Sequence, residues 1–285
     1  MSTEKNLQQG RVVWAAGGFY TVLVGAEEVT CRIRGRLKQQ AGGVFTGDLV
    51  QIERFGSKDG VMRDCHYNCN AWVWTGFVDE SDGSTYAERL DKVRAQQLAG
   101  ADCFIVEKTT NEVLYTNFVY GCNRGFILRD GADFFMMVNA VDGGVTTMQV
   151  EDIVTGKTTW MISNQLCSIS KEGEATYVHV TEKFAGDINI VQTTGFAAPP
   201  YAGIFEGSGT VRLVNYYASD NMDGIKITVK NSQVVGCYLR DPNPANDIRV
   251  EGNGVKSLLF GNLFDKKKNP IISVGNGATI TGGDS

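Results

Sequence analysis

The sequence has 285 residues and a net charge of −5, with 42% hydrophobic residues, 34 glycines and 5 prolines. This composition is typical of a globular, β-rich protein and excludes a disordered chain. No apolar stretch approaches the roughly 18 residues of a membrane span, and the polar residues 1–6 do not resemble a secretory signal. We therefore expect no membrane partner and, by default, a cytoplasmic location.

Charge is distributed unevenly along the chain. Residues 1–63 carry 9 basic and 6 acidic side chains, a net charge of +3, whereas the remainder carries 18 basic and 26 acidic side chains, a net charge of −8. Such an asymmetry indicates two parts with different partners. We predict two domains, residues 1–63 and residues 64–285.

Seven scattered cysteines do not indicate a disulfide framework. Without a secretory signal, we predict that they are reduced and buried. Cys65, His66 and Cys69 have the spacing of half a zinc site, but no second pair of ligands accompanies them. We therefore predict no metal and no cofactor.

Residues 10–62 alternate short apolar strands with glycine-containing turns. The predicted strands are residues 11–14, 19–24, 29–37 and 47–52. In the third strand the arginines alternate with Cys31 and Ile33, and Asp59-Gly60-Val61 closes the segment with a turn. Short strands at this spacing predict a small OB-like β-barrel.

An ordered set of landmarks in this segment resembles a known family. The landmarks are Gly10-Arg11-Val12-Val13, Gly17-Gly18-Phe19-Tyr20, Cys31-Arg32-Ile33-Arg34-Gly35, Thr46-Gly47-Asp48-Leu49-Val50 and Asp59-Gly60-Val61. They resemble the OB-fold domain of ribosome-small-subunit-dependent GTPase A, in which the barrel helps the enzyme to engage ribosomal RNA. The resemblance covers roughly the first fifth of the chain.

This resemblance implies that ribosomal RNA is a partner of the barrel. The implied contacts to the RNA backbone are Arg32, Arg34, Arg36 and Lys38, with Phe19 and Tyr20 as stacking groups. Two simpler interpretations stay open: the arginines form a solvated strand face, and the aromatic residues are core. GTP hydrolysis is not implied, because the chain lacks the Gly-x-x-x-x-Gly-Lys-Ser/Thr phosphate loop.

One short helix is predicted near residues 85–99. Thr85 and Glu88 have capping-box spacing, and Leu90, Val93 and Leu98 follow before Gly100. The helix lies in an insert at residues 84–100. We expect this insert to pack against the first coils of the C-terminal domain and to cover an open end.

From Gly125 onward, an apolar run followed by a Gly/Asn/Asp break keeps recurring. The equivalent positions are taken as Ile127, Met148, Val178, Ile204, Ile225, Ile248 and Ile271, with gaps of 21, 30, 26, 21, 23 and 23 residues. A second apolar run follows the first in each repeat. Strand-length runs with a period of roughly 20–30 residues predict a stacked, right-handed parallel β-helix. The fold class is therefore all-β.

Two residue types recur at fixed places in the repeats. Asparagines follow the second apolar run at Asn139, Asn164, Asn215 and Asn262. We interpret them as left-handed turn residues or an inward side-chain ladder, not as ligand contacts. The methionines Met136, Met137, Met148 and Met161 are predicted core residues.

Residues 65–285 resemble pectate-lyase-like parallel β-helix proteins. The resemblance is carried by residues 104–109, 114–121 and 125–126 and by the later Phe205-Glu206-Gly207-Ser208-Gly209-Thr210-Val211 and Val250-Glu251-Gly252-Asn253-Gly254. It implies the architecture and an association with polysaccharide. Members include polysaccharide lyases, glycoside hydrolases and non-catalytic adhesins, so the fold alone does not select a reaction.

Ser219 to Ile225 resembles the Asn-x-Asp-Gly-Ile signature of β-helix polygalacturonases. Asp220 and Asp223 are the implied acid/base groups, and Asp247 and Arg249, one repeat later, are candidate glycan contacts. The companion Asp-Asp, Gly-His-Gly and Arg-Ile-Lys motifs are absent from the sequence, and Asp223-Gly224 also suits an ordinary turn. Catalysis stays open; if present, it would be that of a polysaccharide lyase or a glycoside hydrolase.

Three functions remain open at this point. The leading hypothesis is a pectate-lyase-like protein that binds glycans along its solenoid face. The alternatives are an RNA- or ribosome-binding module without GTP hydrolysis and a structural repeat protein without small-molecule activity. The sequence does not indicate an oligomeric state.

Overall fold

The computed structural model describes residues 7–16, 19–32, 45–53, 60–68, 85–131, 133–197, 199–219, 223–240, 247–264 and 272–283. The chain forms two compact units, residues 1–56 and residues 57–285. Within the described ranges, no helix has both the length and the apolar character needed to cross a bilayer.

The first unit is a small antiparallel sheet with strand order β3-β2-β1-β4. Its strands are Leu7–Ala16 (β1), Phe19–Val24 (β2), Glu27–Arg32 (β3) and Leu49–Glu53 (β4). Val12 and Val22 pair across β1 and β2 and form the centre of its core. The predicted small β unit with an OB-like strand pattern is confirmed, although β3 is described only as far as Arg32.

The second unit is a parallel β-solenoid with three strand series, which define three faces. Face 2 is a nine-stranded sheet of Val61–Arg63 (β5), Val113–Tyr115 (β8), Phe135–Met137 (β10), Thr158–Ile162 (β12), Asp187–Val191 (β15), Thr210–Val214 (β18), Asn231–Val235 (β21), Lys256–Phe260 (β24) and Thr279–Thr281 (β27). Because β5 pairs with β8, the solenoid begins before residue 64.

Faces 1 and 3 share one sheet, because two long strands, Phe118–Arg129 (β9) and Ala140–Val150 (β11), run through both. Face 1 contains Asp102–Glu107 (β7), Thr176–Val180 (β14), Gly203–Phe205 (β17), Ile225–Ile227 (β20), Ile248–Glu251 (β23) and Ile272–Gly275 (β26). Face 3 contains His66–Asn68 (β6), Gln165–Ser168 (β13), Thr194–Phe196 (β16), Tyr217–Ser219 (β19), Tyr238–Arg240 (β22) and Leu263–Phe264 (β25). The predicted parallel solenoid is confirmed.

The predicted helix is confirmed as Tyr86–Gly100 (α1), with Thr85 as its N-cap. Both capping-box bonds form: the Glu88 N–H donates to Thr85 Oγ1 at 3.2 Å, and the Thr85 N–H donates to Glu88 Oε2 at 3.0 Å. Val93 is buried against Tyr120 of β9, and Gln97 is hydrogen-bonded to the hydroxyl of Tyr67 in β6. The helix therefore packs on the first turns of the solenoid, as expected.

The interior is one elongated apolar core that runs through all turns. Its register differs by one residue from the predicted alignment at three positions. The inward column on face 1 is Phe126, Met148, Val178, Gly203, Ile225, Ile248 and Ile272. Ile127 and Ile204 lie one residue later, on the outer side, and both are fully buried there. Sequence alone does not separate two adjacent apolar residues, yet only one of them points inward.

A left-handed turn and an asparagine ladder separate face 2 from face 3. The left-handed residues are Asp64, Thr116, Val138, Ser163, Gln192, Asn215, Gly236 and Gly261. The next residue in four of these turns is a buried asparagine: Asn117, Asn139, Asn164 and Asn262. Asn215 is thus a turn residue, whereas Asn139 and Asn164 belong to a ladder. Both parts of the predicted interpretation are confirmed.

Two predictions about sulfur-containing residues need correction. Met136, Met148 and Met161 are buried in the core, but Met137 lies on the outer side of face 2 because its neighbour Met136 takes the inward position. No disulfide joins the described cysteines; Cys122, Cys167 and Cys237 are buried and Cys31 and Cys103 are partly buried, but Cys65 is exposed. Cys65 follows the left-handed Asp64, at the turn where the chain enters face 3.

Candidate functional site

The structure describes one member of the predicted acid/base pair, Asp223, where the chain enters a face 1 strand. Asp223 is partly exposed and precedes β20. Its backbone N–H donates to the Pro200 carbonyl oxygen at 2.7 Å, which ties this turn to the preceding one. Asp220 lies outside the described residues.

The two predicted glycan contacts differ in access. Asp247 is only 2% exposed, and its carbonyl oxygen accepts the Ile225 N–H at 3.0 Å. Arg249 lies two residues later on the outer side of β23, where its side chain is 41% exposed. Its Nη2 atom lies 3.0 Å from Glu251 Oε2. The guanidinium is therefore available at the surface, whereas the Asp247 carboxylate is enclosed.

A cluster that sequence reasoning missed lies on the same face, over three successive turns. His179 of β14 registers with Ile204 of β17, and Ile204 registers with Lys226 of β20. The Glu206 carboxylate lies between the side chains of His179 and Lys226. Its Oε2 is 3.4 Å from His179 Nε2, and its Oε1 is 3.4 Å from Lys226 Nζ. Glu174 Oε1 lies 3.5 Å from the same Nζ.

The next turn continues this arrangement, because Lys226 registers with Arg249. Glu251 follows Arg249 by two residues, as Glu206 follows Ile204. We name this set the polar ladder; it consists of His179, Glu206, Lys226, Arg249 and Glu251. Its side chains are partly buried, from 18% exposed at His179 to 41% at Arg249. Partial burial restricts their rotamers and lowers the entropy lost on binding a ligand.

The carboxylates keep the central lysine charged. Burial alone would lower the pKa of Lys226, but Glu206 and Glu174 oppose it, and the net effect is a pKa above that of an ordinary lysine. Lys226 is therefore a cation throughout the neutral range. The polar ladder presents hydrogen-bond donors and acceptors side by side.

The backbone around Glu206 fixes the position of its side chain. The Glu206 N–H donates to the Val180 carbonyl oxygen at 2.9 Å, which continues the pairing of β17 beyond Phe205. Gly207 then turns the chain with φ +100°, a conformation that L side chains rarely adopt. Below the ladder, Ile204 is fully buried outside the interior core, between its register neighbours His179 and Lys226.

A signal for the polar ladder is present in the sequence. Phe205-Glu206-Gly207 and Val250-Glu251-Gly252 both place an acid directly after an inward apolar residue and before a glycine. Once these triplets are aligned, Arg249 and Ile204 become equivalent. Lys226 and His179 can be assigned to the same column only when the lengths of the intervening turns are known.

The predicted RNA contacts lie mostly beyond the described residues. Arg32 is the last residue of β3, and its backbone registers with Phe19 of β2. The remaining three candidates, Arg34, Arg36 and Lys38, lie outside the described ranges. Tyr20 packs against the small core of the first unit, which favours a core role for this ring. Two aromatic residues that the sequence analysis did not select are exposed: Trp14 at 53% and Phe45 at 66%.

Comparison with known protein families gives a match to the first unit. Residues 9–62 match the RsgA N-terminal domain family. This segment covers the predicted OB-like unit and reaches the solenoid only at Val61 and Met62, the first two residues of β5. No curated protein and no solved structure matches the chain.

Proposed function

We propose that the solenoid binds polysaccharide along the polar ladder of face 1. The observation that carries this proposal is the alignment of His179, Lys226 and Arg249 in one outer column, with Glu206 and Glu251 beside them. Neighbouring turns lie about 4.8 Å apart. A repeating surface of charged and polar groups suits a ligand that itself repeats, and sugar hydroxyl groups both donate and accept hydrogen bonds.

Within this proposal the residues have different roles. We assign the direct glycan contacts to Arg249 and Lys226, whose side chains are 41% and 20% exposed on the outer side of face 1. Asp247 is enclosed and supports the start of β23. Asp223, at the start of the same face, is the group that would supply acid/base chemistry together with Asp220 if the glycan is cleaved.

Replacing Lys226 and Arg249 with glutamine is expected to weaken polysaccharide binding about tenfold or more, because each charge-assisted hydrogen bond contributes about 1.5–3 kcal/mol. Affinity would be measured on a panel of neutral and acidic polysaccharides. The matched control is Arg212→Gln on face 2, where the arginine is 34% exposed and also paired with a carboxylate. Equal affinity of all three proteins would refute binding at the polar ladder.

The same panel separates binding from cleavage. Released sugar that disappears in Asp223→Ala, with binding retained, would support an acid/base role for Asp223. Binding without released sugar would leave a non-catalytic glycan-binding protein.

We propose RNA binding by the first unit as a second candidate function, and the match of residues 9–62 to the RsgA N-terminal domain supports this proposal. Alanine at Arg32, Arg34 and Arg36 is expected to weaken RNA binding and to reduce the slope of log affinity against log salt by about 2 for single-stranded RNA. Filter binding at several salt concentrations measures both quantities. The charge-matched control replaces the exposed Lys171, Lys183 and Lys230 of the solenoid. Unchanged affinity in the arginine variant would exclude this function.

A further inference from the structure

The outer side of face 2 carries a continuous apolar column, which we name the apolar stripe. Its members occupy one register position on seven successive turns: Tyr115, Met137, Ile162, Val191, Val214, Val235 and Phe260. The residue before each of them points inward and belongs to the interior core, whereas none of these seven does. The stripe is therefore an outer surface, formed independently of the core.

The stripe is accessible at both ends and widens at one of them. Tyr115 is 42% exposed and Phe260 is 60% exposed. Next to Tyr115 and Met137, the outer residues of face 2 are also apolar: Val61, Val113, Phe135 and Trp160. The rings of Phe135 and Trp160 stack at 6.1 Å. A sheet face that meets only water normally carries polar side chains, so an apolar surface of this length indicates an interaction site.

The dimensions of face 2 approach those of a protein–protein interface. Five of its strands have five residues and four have three, so with about 4.8 Å between strands and about 3.3 Å per residue the face covers about 600 Å². This footprint is about three quarters of the roughly 800 Å² that each partner buries in a standard complex. A polar groove lined by Thr210, Asn231, Gln233 and Lys256 borders the stripe towards the C-terminal turns. An apolar centre with a polar rim is the usual anatomy of such interfaces.

We propose that face 2 pairs with face 2 of a second copy of this chain, so that two apolar stripes pack side by side. A row of side chains fixed at about 4.8 Å intervals fits most closely a partner row with the same repeat, which a second copy supplies. The charges on this face are also self-compatible. Asp187 pairs with Arg212 at 3.3 Å within the face, and Asp133 pairs with Lys157 at 3.2 Å just before β10 and β12, so acidic and basic groups are both present where two copies would meet. The polar ladder lies on face 1, so this inference is independent of glycan binding.

The test is the oligomeric state of the full chain and of a variant with lysine at Val214 and Val235. These two valines lie at adjacent turns of the stripe, on its outer side, so lysine can extend into water in the monomer. In a dimer the ammonium groups would be enclosed. Sedimentation equilibrium is expected to show a concentration-dependent dimer for the wild type and an association constant lowered about a hundredfold or more in the variant.

The control makes the same chemical change elsewhere. Val154 is 56% exposed in the turn between β11 and β12, and Val154→Lys is expected to leave the dimer intact. Circular dichroism verifies that all three proteins are folded. A wild type that stays monomeric at every concentration, or a dimer that survives in the Val214/Val235 variant, would overturn the proposal. A monomer that instead binds lipid vesicles through the stripe would overturn it as well.

Discussion

Replacing Asn139 with leucine is expected to lower the free energy of unfolding of the solenoid by about 3–5 kcal/mol, because several buried polar groups lose their partners together. The Asn139 amide nitrogen donates to the Leu114 carbonyl oxygen at 2.9 Å. Its Oδ1 accepts the Asn117 N–H at 3.1 Å and the Asn117 side-chain amide at 3.0 Å. Asn164 Oδ1 accepts from the Asn139 side chain at 3.2 Å. Leucine has a similar volume but replaces none of these bonds.

Urea denaturation followed by circular dichroism measures this loss. The control is Asn253→Leu, at an exposed turn between β23 and β24, where a change within about 0.5 kcal/mol is expected. If the two variants lost the same stability, the asparagine ladder would contribute no more to the free energy of unfolding than an exposed amide does. The proposed polysaccharide binding should be unchanged in folded Asn139→Leu, because the asparagine ladder lies at the opposite end of each face 2 strand from face 1.

The asparagines illustrate what sequence reasoning achieves in a repeat protein. Four of them mark the corner between strand series, and the structure places all four at that corner. Their positions within the corner differ, however. Asn215 is itself the left-handed residue, whereas Asn139, Asn164 and Asn262 each follow the left-handed residue. A one-residue offset separates an exposed turn from a buried amide ladder, and the residue type is the same in both places.

The register error at Ile127 and Ile204 has the same origin. Each lies next to another apolar residue, Phe126 or Phe205, and hydrophobicity cannot decide which of two neighbours points inward. Strand pairing decides it, since a shift of one residue reverses the face. Ile204 remains fully buried on the outer side, so even its burial would not have revealed the difference.

Local signals were sufficient where an element depends on adjacent residues. The capping box of α1 involves Thr85 and Glu88, three residues apart, and was predicted correctly. The strands of face 3 were not predicted as a series, because those such as Tyr217–Ser219 and Leu263–Phe264 are too short for alternation to appear. They exist because neighbouring turns already supply the pairing edge.

Local sequence signals do not predict the polar ladder, because its residues are far apart in the sequence. Glu206 meets His179 across 27 residues and Lys226 across 20 residues, and these separations depend on the length of each turn. The turns vary in length, so no fixed spacing in the sequence brings the three residues together. The sequence pattern shows that Glu206 follows Phe205 and that Glu251 follows Val250. Only the strand register shows which basic side chains lie beside these two carboxylates.

The second large effect is expected for Gly207→Ala, which should cost about 3–4 kcal/mol of stability. Gly207 has φ +100°, and a Cβ atom there would overlap the Phe184 carbonyl oxygen and lie 3.0 Å from that of Thr181. Backbone on one side of the turn must move to admit the methyl group. Because Gly207 directly follows Glu206, the displacement should also move the carboxylate away from His179 and Lys226 and weaken polysaccharide binding.

The loss of stability in Gly207→Ala has two sources, the positive φ and the steric overlap of the added Cβ. The variant Gly156→Ala separates them. Gly156 also has a positive φ, +78°, but an added Cβ meets no atom within 4 Å, so alanine there carries only the conformational cost of about 1 kcal/mol. Thermal denaturation should therefore place Gly207→Ala well below Gly156→Ala, and only Gly207→Ala should lose glycan affinity. Similar melting temperatures would show that the turn after Glu206 can relax around a methyl group. In that case the backbone of this turn would not be what holds the Glu206 carboxylate between its two bases.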